Sequence, residues 1–519
     1  MPDEPVTLTE IVGTLSLAAD LGLGQPLEHV ARSCLIAVRL AERLGADEAE
    51  RATTYRVALL AWVGCTADSH ETAALLGDDI AARAGSYGVD LAGVAGVRYL
   101  VGRAASHGPL RHRVRRTATL ALTRGAPLRA LMETHCQVTA SLAARLGWEP
   151  RIGELLAQTF ARWDGRGTPS GLSGERIGLP TRIVQLADDV EVHHRRGGTA
   201  AAVAAARAGS GREFDPAVVA EFVRSGPRIL DALPADTSWP ELIAADPDPR
   251  ALTPDELDAA LEAVADFVDL KSPWFAGHSR GVADLAAAAA RRAGHPDADV
   301  RELRRAGLLH DLGRTGVPNT VWDKPGPLTA VERERVELHS YYTDRVLRRV
   351  PGLAAAGRIA GSAHERLDGS GYHRGLSATA VSASARILAA ADTYHAMREP
   401  RPHRPAHTAE AAAAELRAGA RTGAYDPAAV EAVLASAGHR ARRPAGGPAG
   451  LTGREVEVLV LLARAASTRH IARRLGITPK TVDSHIERIY TKVGARSRPG
   501  AALFAMQHGL LATLDPVEP

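Results

Sequence analysis

Residues 310–340 read HDLGRTGVPNTVWDKPGPLTAVERERVELHS: an adjacent His310-Asp311 pair, a glycine two residues on, a proline-rich turn, then a run that closes on His339. Twenty-five residues after His339 comes HERLDGSGYHRGL (364–376), and after it LAAADTYHA (388–396), which holds Asp392. At helical spacing, His278 shares a face with Val282, Leu285 and Ala289. Leu303, Gly307, His310 and Asp311 are expected on one face of the next helix, and Val336, His339, Thr343 and Leu347 on one face of a third. His364 is expected to close a fourth, and Leu388, Asp392 and His395 to line a fifth. Imidazoles and carboxylates aimed inward from successive helices are costly to bury without a partner. A divalent cation resolves that cost, because His nitrogen and Asp oxygen are its ordinary ligands.

The same series recurs upstream. HCQVTASLAARLG (135–147) parallels HSYYTDRVLRRVP (339–351), FARWDGRGTPSGL (160–172) parallels HERLDGSGYHRGL, and QLADDVEV (185–192) parallels the stretch around Asp392. One offset of 204 residues relates all three, and REFDPAVV (212–219) then echoes GAYDPAAV (423–430). Two copies point to duplication, not a solenoid. The first copy keeps His29, His135 and Asp188, but WVGC (62–65) replaces LLHD (308–311) and Phe160 stands where His364 does. A phenylalanine cannot ligate a metal, so the first copy reads as a non-catalytic partner. Asp68 and His70 lie nearby, with solvated loop residues as their plainer reading.

At 519 residues the chain is too long for a single core. Aromatics are 4%, and alanine runs such as Ala286 to Ala290 favour helix, so an all-α protein is expected. Proline-rich residues 232–254 and the segment GHRARRPAGGPAG (438–450) divide it into a degenerate helical domain (1–235), a second such domain (250–437), a linker (438–450) and a C-terminal module (451–513). Net charge is +3, and two of the four lysines, Lys480 and Lys492, fall in that module. Cys34, Cys65 and Cys136 show no metal-type spacing and read as buried thiols in a reducing compartment. No apolar run approaches the roughly 20 residues that span a bilayer. The acidic start, Met1-Pro2-Asp3-Glu4, lacks a signal-peptide pattern. A cytoplasmic location and no membrane partner are therefore expected.

The three quoted stretches of the second copy resemble the HD-GYP branch of the HD-domain phosphohydrolases over most of 265–435. The resemblance implies a helical domain that binds two or three metals, usually iron or manganese, and hydrolyses cyclic di-GMP. It gives His278, His310, Asp311 and Asp392 to a first metal. Asp311 bridges to a second, held by His339 and His364, and Asp311 and Arg314 are its catalytic candidates. Two cations a few ångströms apart can lower the pKa of a bridging hydroxide and clamp a phosphodiester for in-line attack. The sequence also departs from the family pattern. Ala363-His364 replaces a histidine pair, Arg314 replaces a lysine, His373 replaces the proline of the signature, and Trp274 replaces a third-metal glutamate. Arginine is a rigid fork where lysine is a compact charge, so that exchange is not neutral. One or two divalent ions are expected, and not a third.

At the other end, residues 451–511 read LTGREVEVLVLLARAASTRHIARRLGITPKTVDSHIERIYTKVGARSRPGAALFAMQHGLL. Val456, Leu459, Val460 and Ala463 form an apolar stripe. Ser467 caps a second helix with Ile471 and Leu475 buried, and Gly476 ends it. Thr478 caps a third that begins with Pro479 and buries Val482, Ile486, Ile489 and Val493. This is the helix-turn-helix pattern. Lys480, Arg488 and Lys492 can neutralise phosphates, and Thr478 and Thr481 can hydrogen-bond them. Asp483, Ser484 and Glu487 can read base edges. The segment resembles the LuxR-type DNA-binding domain, which implies a four-helix module that binds double-stranded DNA as a homodimer. The whole chain then reads as a transcriptional regulator that senses or hydrolyses a nucleotide. The alternatives are a phosphodiesterase whose DNA-binding tail only localises it, and a pure scaffold.

Overall fold

Short polar caps and long alanine- and leucine-rich runs dictate the architecture. In the computed structural model, residues 5–106, 110–123, 125–235, 237–438 and 448–512 are described. Among them there are helices and isolated bridges but no strands. Most of the linker expected at 438–450, the acidic first four residues and the end of the module at 513 lie outside the described residues.

The chain divides into two compact units, one spanning Pro5–Thr253 and one beginning at Pro254. The short helix Trp239–Ala244, which falls between the two domains drawn from the sequence, belongs to the first unit. Both units carry the same helical series. His29–Arg43 corresponds to His278–Arg292, Glu48–Leu60 to Asp297–Leu309, and Ala126–Arg145 to Ala330–Leu347. In each, the long histidine-led helix starts after a residue in the left-handed region, Glu28 at φ 75° and Gly277 at φ 78°. The core of the first unit is built from Ile11, Leu15, Ile36, Leu40, Leu59 and Leu142, all fully buried. That of the second includes Leu261, Phe267, Leu303 and Leu388, with Ala283, Ala286 and Ala290 along one helix. Small residues let the His278–Arg292 helix approach its neighbours closely. A Cβ on Gly307 would lie 2.6 Å from the Cα of Ala283.

Two boundaries differ from the sequence reading, and both bear on the site. The helix expected to carry His310 and Asp311 ends at Leu309, and Asp311 starts a 3₁₀ turn, Leu312–Gly316. His364 does not close a helix. The helix Ala354–Ala360 stops four residues earlier, and His364 lies in the glycine-rich turn that follows. In both places the ligand-type residues sit at helix ends, where the backbone is free to turn them inward.

The C-terminal module folds as Gly453–Ala463, Thr468–Leu475, Pro479–Val493 and Arg498–Gln507. Thr452 and Glu455 form a reciprocal capping box on the first helix, and Ser467, Thr478 and Ser497 cap the others with their hydroxyls. Gly476 ends the second helix at φ 64°, a conformation glycine adopts without strain. Val482 and Ile489 are fully buried, whereas Leu475, Ile486 and Val493 are only half-buried.

Candidate metal centre and DNA-reading module

Asp311 lies at the middle of the second unit's polar cluster, 1% exposed. Its Oδ2 is 2.8 Å from His310 Nε2 and 3.4 Å from His278 Nε2. Its Oδ1 faces the other way, 3.2 Å from His339 Nε2 and 3.8 Å from His364 Nε2. Asp392 closes the cluster, with Oδ1 3.2 Å from His278 and 3.6 Å from His310, and Oδ2 3.4 Å from His364 Nδ1. Two of the three sets of ligand atoms among the described residues share Asp311: His278, His310 and Asp311, and Asp311, His339 and His364; the third is His278, His395 and Glu399. All six residues singled out in the sequence as metal-type ligands therefore meet at one place.

The histidines are oriented from behind. His310 Nδ1 donates to the carbonyl of Gly307 at 2.7 Å, His339 Nδ1 to that of Val336, and His278 Nδ1 to the Glu399 carboxylate at 2.8 Å. Each bond fixes the tautomer and leaves the Nε2 lone pair facing inward. Thr343 ties the layers together, accepting from Gly313 N at 2.9 Å and donating to the carbonyl of His310 at 3.1 Å. The glycine is required: a Cβ on Gly313 would sit 2.1 Å from the carbonyl oxygen of His339. Gly371 is similarly pressed against the backbone of Glu365 and Arg366. Glu365 holds that turn by accepting from the backbone N–H groups of Arg374 and Leu376. Tyr372 stacks on His364, ring centres 4.7 Å apart.

The donor set fits a cation. His278 Nε2, His310 Nε2 and Asp311 Oδ1 are buried without a hydrogen-bond partner, and Asp311 Oδ2 is held by its ion pair with Arg314. The short contacts among them lack the alignment of hydrogen bonds, so these atoms converge on a point and not on each other. Their electrostatics agree. Burial opposes charge on His310, but Asp311 and Asp392 outweigh it and raise the imidazole to about 9. His278 is likewise raised well above its ordinary range, burial being overcome chiefly by Glu399. Burial would push Asp311 up, yet Arg314 and then His310 hold it well below the usual carboxylate range. The cluster thus draws positive charge to its centre. His364 differs: burial lowers it to about 4. Its Nε2 faces that of His339 at 2.9 Å, two ring nitrogens that a shared cation would reconcile.

Arg314 forms the wall of the cluster. Its Nη2 lies 2.6 Å from Asp311 Oδ2, while Nε and Nη1 have no hydrogen-bond partner. The guanidinium packs over Phe275 at 4.2 Å and over Trp322 at 5.7 Å. Glu399, Phe275 and Arg401 escaped the sequence reading. Arg401 packs on the same Phe275 ring at 5.1 Å and pairs with Glu399 at 2.9 Å. The replacements behave as their chemistry requires. Ala363 is fully buried and offers no ligand, and Trp274 is a 3₁₀-turn residue whose carbonyl accepts from Arg401.

The first unit retains the scaffold with different contents. His29 bridges Asp188 at 3.0 Å and Glu191 at 2.5 Å, and Arg32 also pairs with Glu191. His135 Nε2 donates to the carbonyl of Ala61 at 2.7 Å, and the ring packs edge-on against Phe160 at 4.8 Å. Asp68 pairs with Arg83 and lies 4.0 Å from His135 Nδ1. Among the described residues, no set of three metal-type ligand atoms gathers in this unit.

On the C-terminal module, Thr478, Lys480, Thr481, Asp483, Ser484, Glu487, Arg488 and Lys492 are exposed. Several are already engaged. Thr478 caps the helix, Asp483 accepts from Thr468 at 3.3 Å, and Ser484 bonds back to the carbonyl of Lys480. Lys492 pairs with Glu455 at 2.7 Å and with the carbonyl of Gly450 at 3.1 Å, so it staples the module's own helices. Lys480, Glu487 and Arg488 project from the outer face of the Pro479–Val493 helix.

A helical cage of histidines around a shared aspartate, joined to a helix-turn-helix, defines a metal-dependent phosphohydrolase with a DNA-binding-type appendage. The chain belongs to the HD domain family, which it matches over residues 123–218 and 262–429, within both units; residues 449–505 match the bacterial regulatory proteins of the luxR family. It is 32% identical over 427 residues to a 3'3'-cGAMP-specific phosphodiesterase of Vibrio cholerae, covering 81% of this chain and 92% of that protein. A cyclic di-GMP phosphodiesterase of Thermotoga maritima is 36% identical over 159 residues, 30% of this chain and 43% of that one. The crystal structure of a cyclic GMP-AMP-specific phosphodiesterase from Vibrio cholerae aligns with a TM-score of 0.57 at 29% identity, covering 84% of this chain and 98% of that chain. No described helix is long and apolar enough to cross a membrane.

Proposed function

We propose that this chain is a DNA-binding transcriptional regulator whose second HD unit hydrolyses a 3',3'-linked cyclic dinucleotide. The observation that carries this is Asp311, buried, held well below the usual carboxylate range and turning one oxygen toward each of two imidazole pairs, Oδ2 also meeting Arg314. His278, His310, Asp311 and Asp392 would hold one divalent ion and Asp311, His339 and His364 a second, with iron or manganese the metals these donors suit. Such a pair supplies Lewis acidity and a hydroxide at neutral pH. The unpaired Nε and Nη1 of Arg314 are placed to receive a phosphoryl oxygen, and the Phe275 and Trp322 rings keep the guanidinium in place. The relatives' substrates, 3'3'-cGAMP and cyclic di-GMP, set the range. The C-terminal module docks Lys480, Glu487 and Arg488 on duplex DNA, working as a homodimer on two half-sites.

The test is to incubate manganese-loaded protein with cyclic di-GMP and with 3'3'-cGAMP and to separate the products by chromatography. A linear dinucleotide is expected from at least one substrate, and none from a His310→Ala/Asp311→Ala variant. Intact substrates in both reactions would refute the catalytic part. A promoter reporter that responds normally to that double variant would show that catalysis is not the regulatory signal.

A further inference from the structure

The two copies differ most between their second and third helical ligand positions. Cys65 and His135 are 70 residues apart, whereas the equivalent Asp311 and His339 are 28 apart, so the first unit carries 42 extra residues there. They include the helices Val94–Ser106 and Leu110–Leu122. Their composition is unlike the rest of the chain. Between Asp90 and Glu133 there are eight arginines and no acidic residue. Arg98, Arg111, Arg113 and Arg115 are exposed.

Apolar side chains are exposed among these charges. Leu110, Val114 and Leu122 are 72%, 60% and 84% exposed, and with Ala118 they recur every four residues as one stripe along the second helix. Val94 and Val97 on the first helix are 87% and 61% exposed. An open groove of about 650 Å³ runs beside them, lined by Val94, Arg98, Tyr99, Gly102 and Arg103. An apolar stripe this exposed marks a binding surface.

We propose that this inserted pair of helices docks on an anionic phospholipid surface, with the Leu110–Leu122 stripe at the acyl boundary and the arginines on headgroup phosphates. A helix with an apolar stripe flanked by arginine lies in the plane of such an interface. Charge decides against a second copy of the chain, which would bring another acid-free arginine set to the seam. The exposed valines and leucines decide against duplex DNA, whose phosphates give them nothing to bury against. The sequence expectation of no membrane partner rested on the lack of a spanning run and does not reach a surface helix.

Co-sedimentation of the full-length protein with vesicles of equimolar phosphatidylglycerol and phosphatidylcholine tests the proposal. Binding is expected to these vesicles and not to phosphatidylcholine alone, and it weakens with added salt. An Arg98→Ala/Arg111→Ala/Arg115→Ala variant is expected to bind about a hundredfold more weakly, each arginine near an anionic surface being worth about a factor of five. Leu110→Asp/Leu122→Asp, or the milder serine pair, is expected to lose binding with an unchanged melting temperature, since both side chains face solvent. Three results overturn the proposal. One is no binding to anionic vesicles at low salt. Another is a leucine variant that dissociates an oligomer but still binds vesicles. The last is an arginine variant that loses duplex DNA and keeps lipid.

Discussion

Asp311 holds the candidate centre together because its two oxygens serve two different histidine pairs. Asp311→Asn keeps the shape and removes the charge. Since bridging metals supply several kcal/mol of transition-state stabilisation, hydrolysis is expected to fall by about a thousandfold or more, read as product formed per unit time. Glu399 acts one layer out, through His278. Glu399→Gln is expected to weaken metal affinity by about 10- to 100-fold in a chelator competition, with the fold intact by circular dichroism. Gly313→Ala drives a methyl group into the carbonyl of His339 and is expected to cost about 1–3 kcal/mol in thermal unfolding. The ligand-type residues were legible in the sequence because a histidine or aspartate on an apolar face is conspicuous. Glu399 was not: it lies just past the end of the Ala383–Arg398 helix, and no periodicity ties it to His278, 121 residues away.

The helices themselves were easier to read than their ends. Ser467, Gly476, Thr478 and Pro479 announce the module's turn, because capping chemistry is local in sequence. The ends at Leu309 and Ala360 were missed, because there the helical pattern of apolar residues runs on while tertiary contacts turn the backbone. Bonds within the module divide the expected DNA contacts. Lys480→Ala is expected to weaken binding to all duplexes alike and to lower the salt slope by about one, whereas Glu487→Ala shifts sequence preference, both measured by gel shift. Lys492→Ala is expected instead to lower the module's melting temperature, because that ammonium is committed to Glu455 and Gly450.

Duplication explains why one chain holds two versions of one cage. The shared offset was visible in the sequence, but what fills the first copy was not: His29 and Asp188 look like ligands in a string and, with Glu191, become an ion-pair cluster in three dimensions. Burial works against charge on His29, yet Asp188 and Glu191 outweigh it and raise it from 6.5 to about 10. Its contribution to stability is therefore complete below pH 6.5 and is lost as pH rises through about 10. Glu191, lowered from 4.5 to about 2, loses its share only in acid. The gap in melting temperature between the parent and His29→Gln is expected to be widest between pH 4.5 and 6.5 and to shrink toward pH 10; a gap that widens with pH would contradict the assignment. In the second copy histidine nitrogens and both Asp311 oxygens converge on one place, and that difference is what a bound metal would explain. Elemental analysis of the purified full-length protein beside its Asp311→Asn variant tests it most directly. At least one transition metal per chain is expected in the parent, and little or none in the variant. A parent that carries no stoichiometric metal, and whose melting temperature is unmoved by chelator, would contradict it.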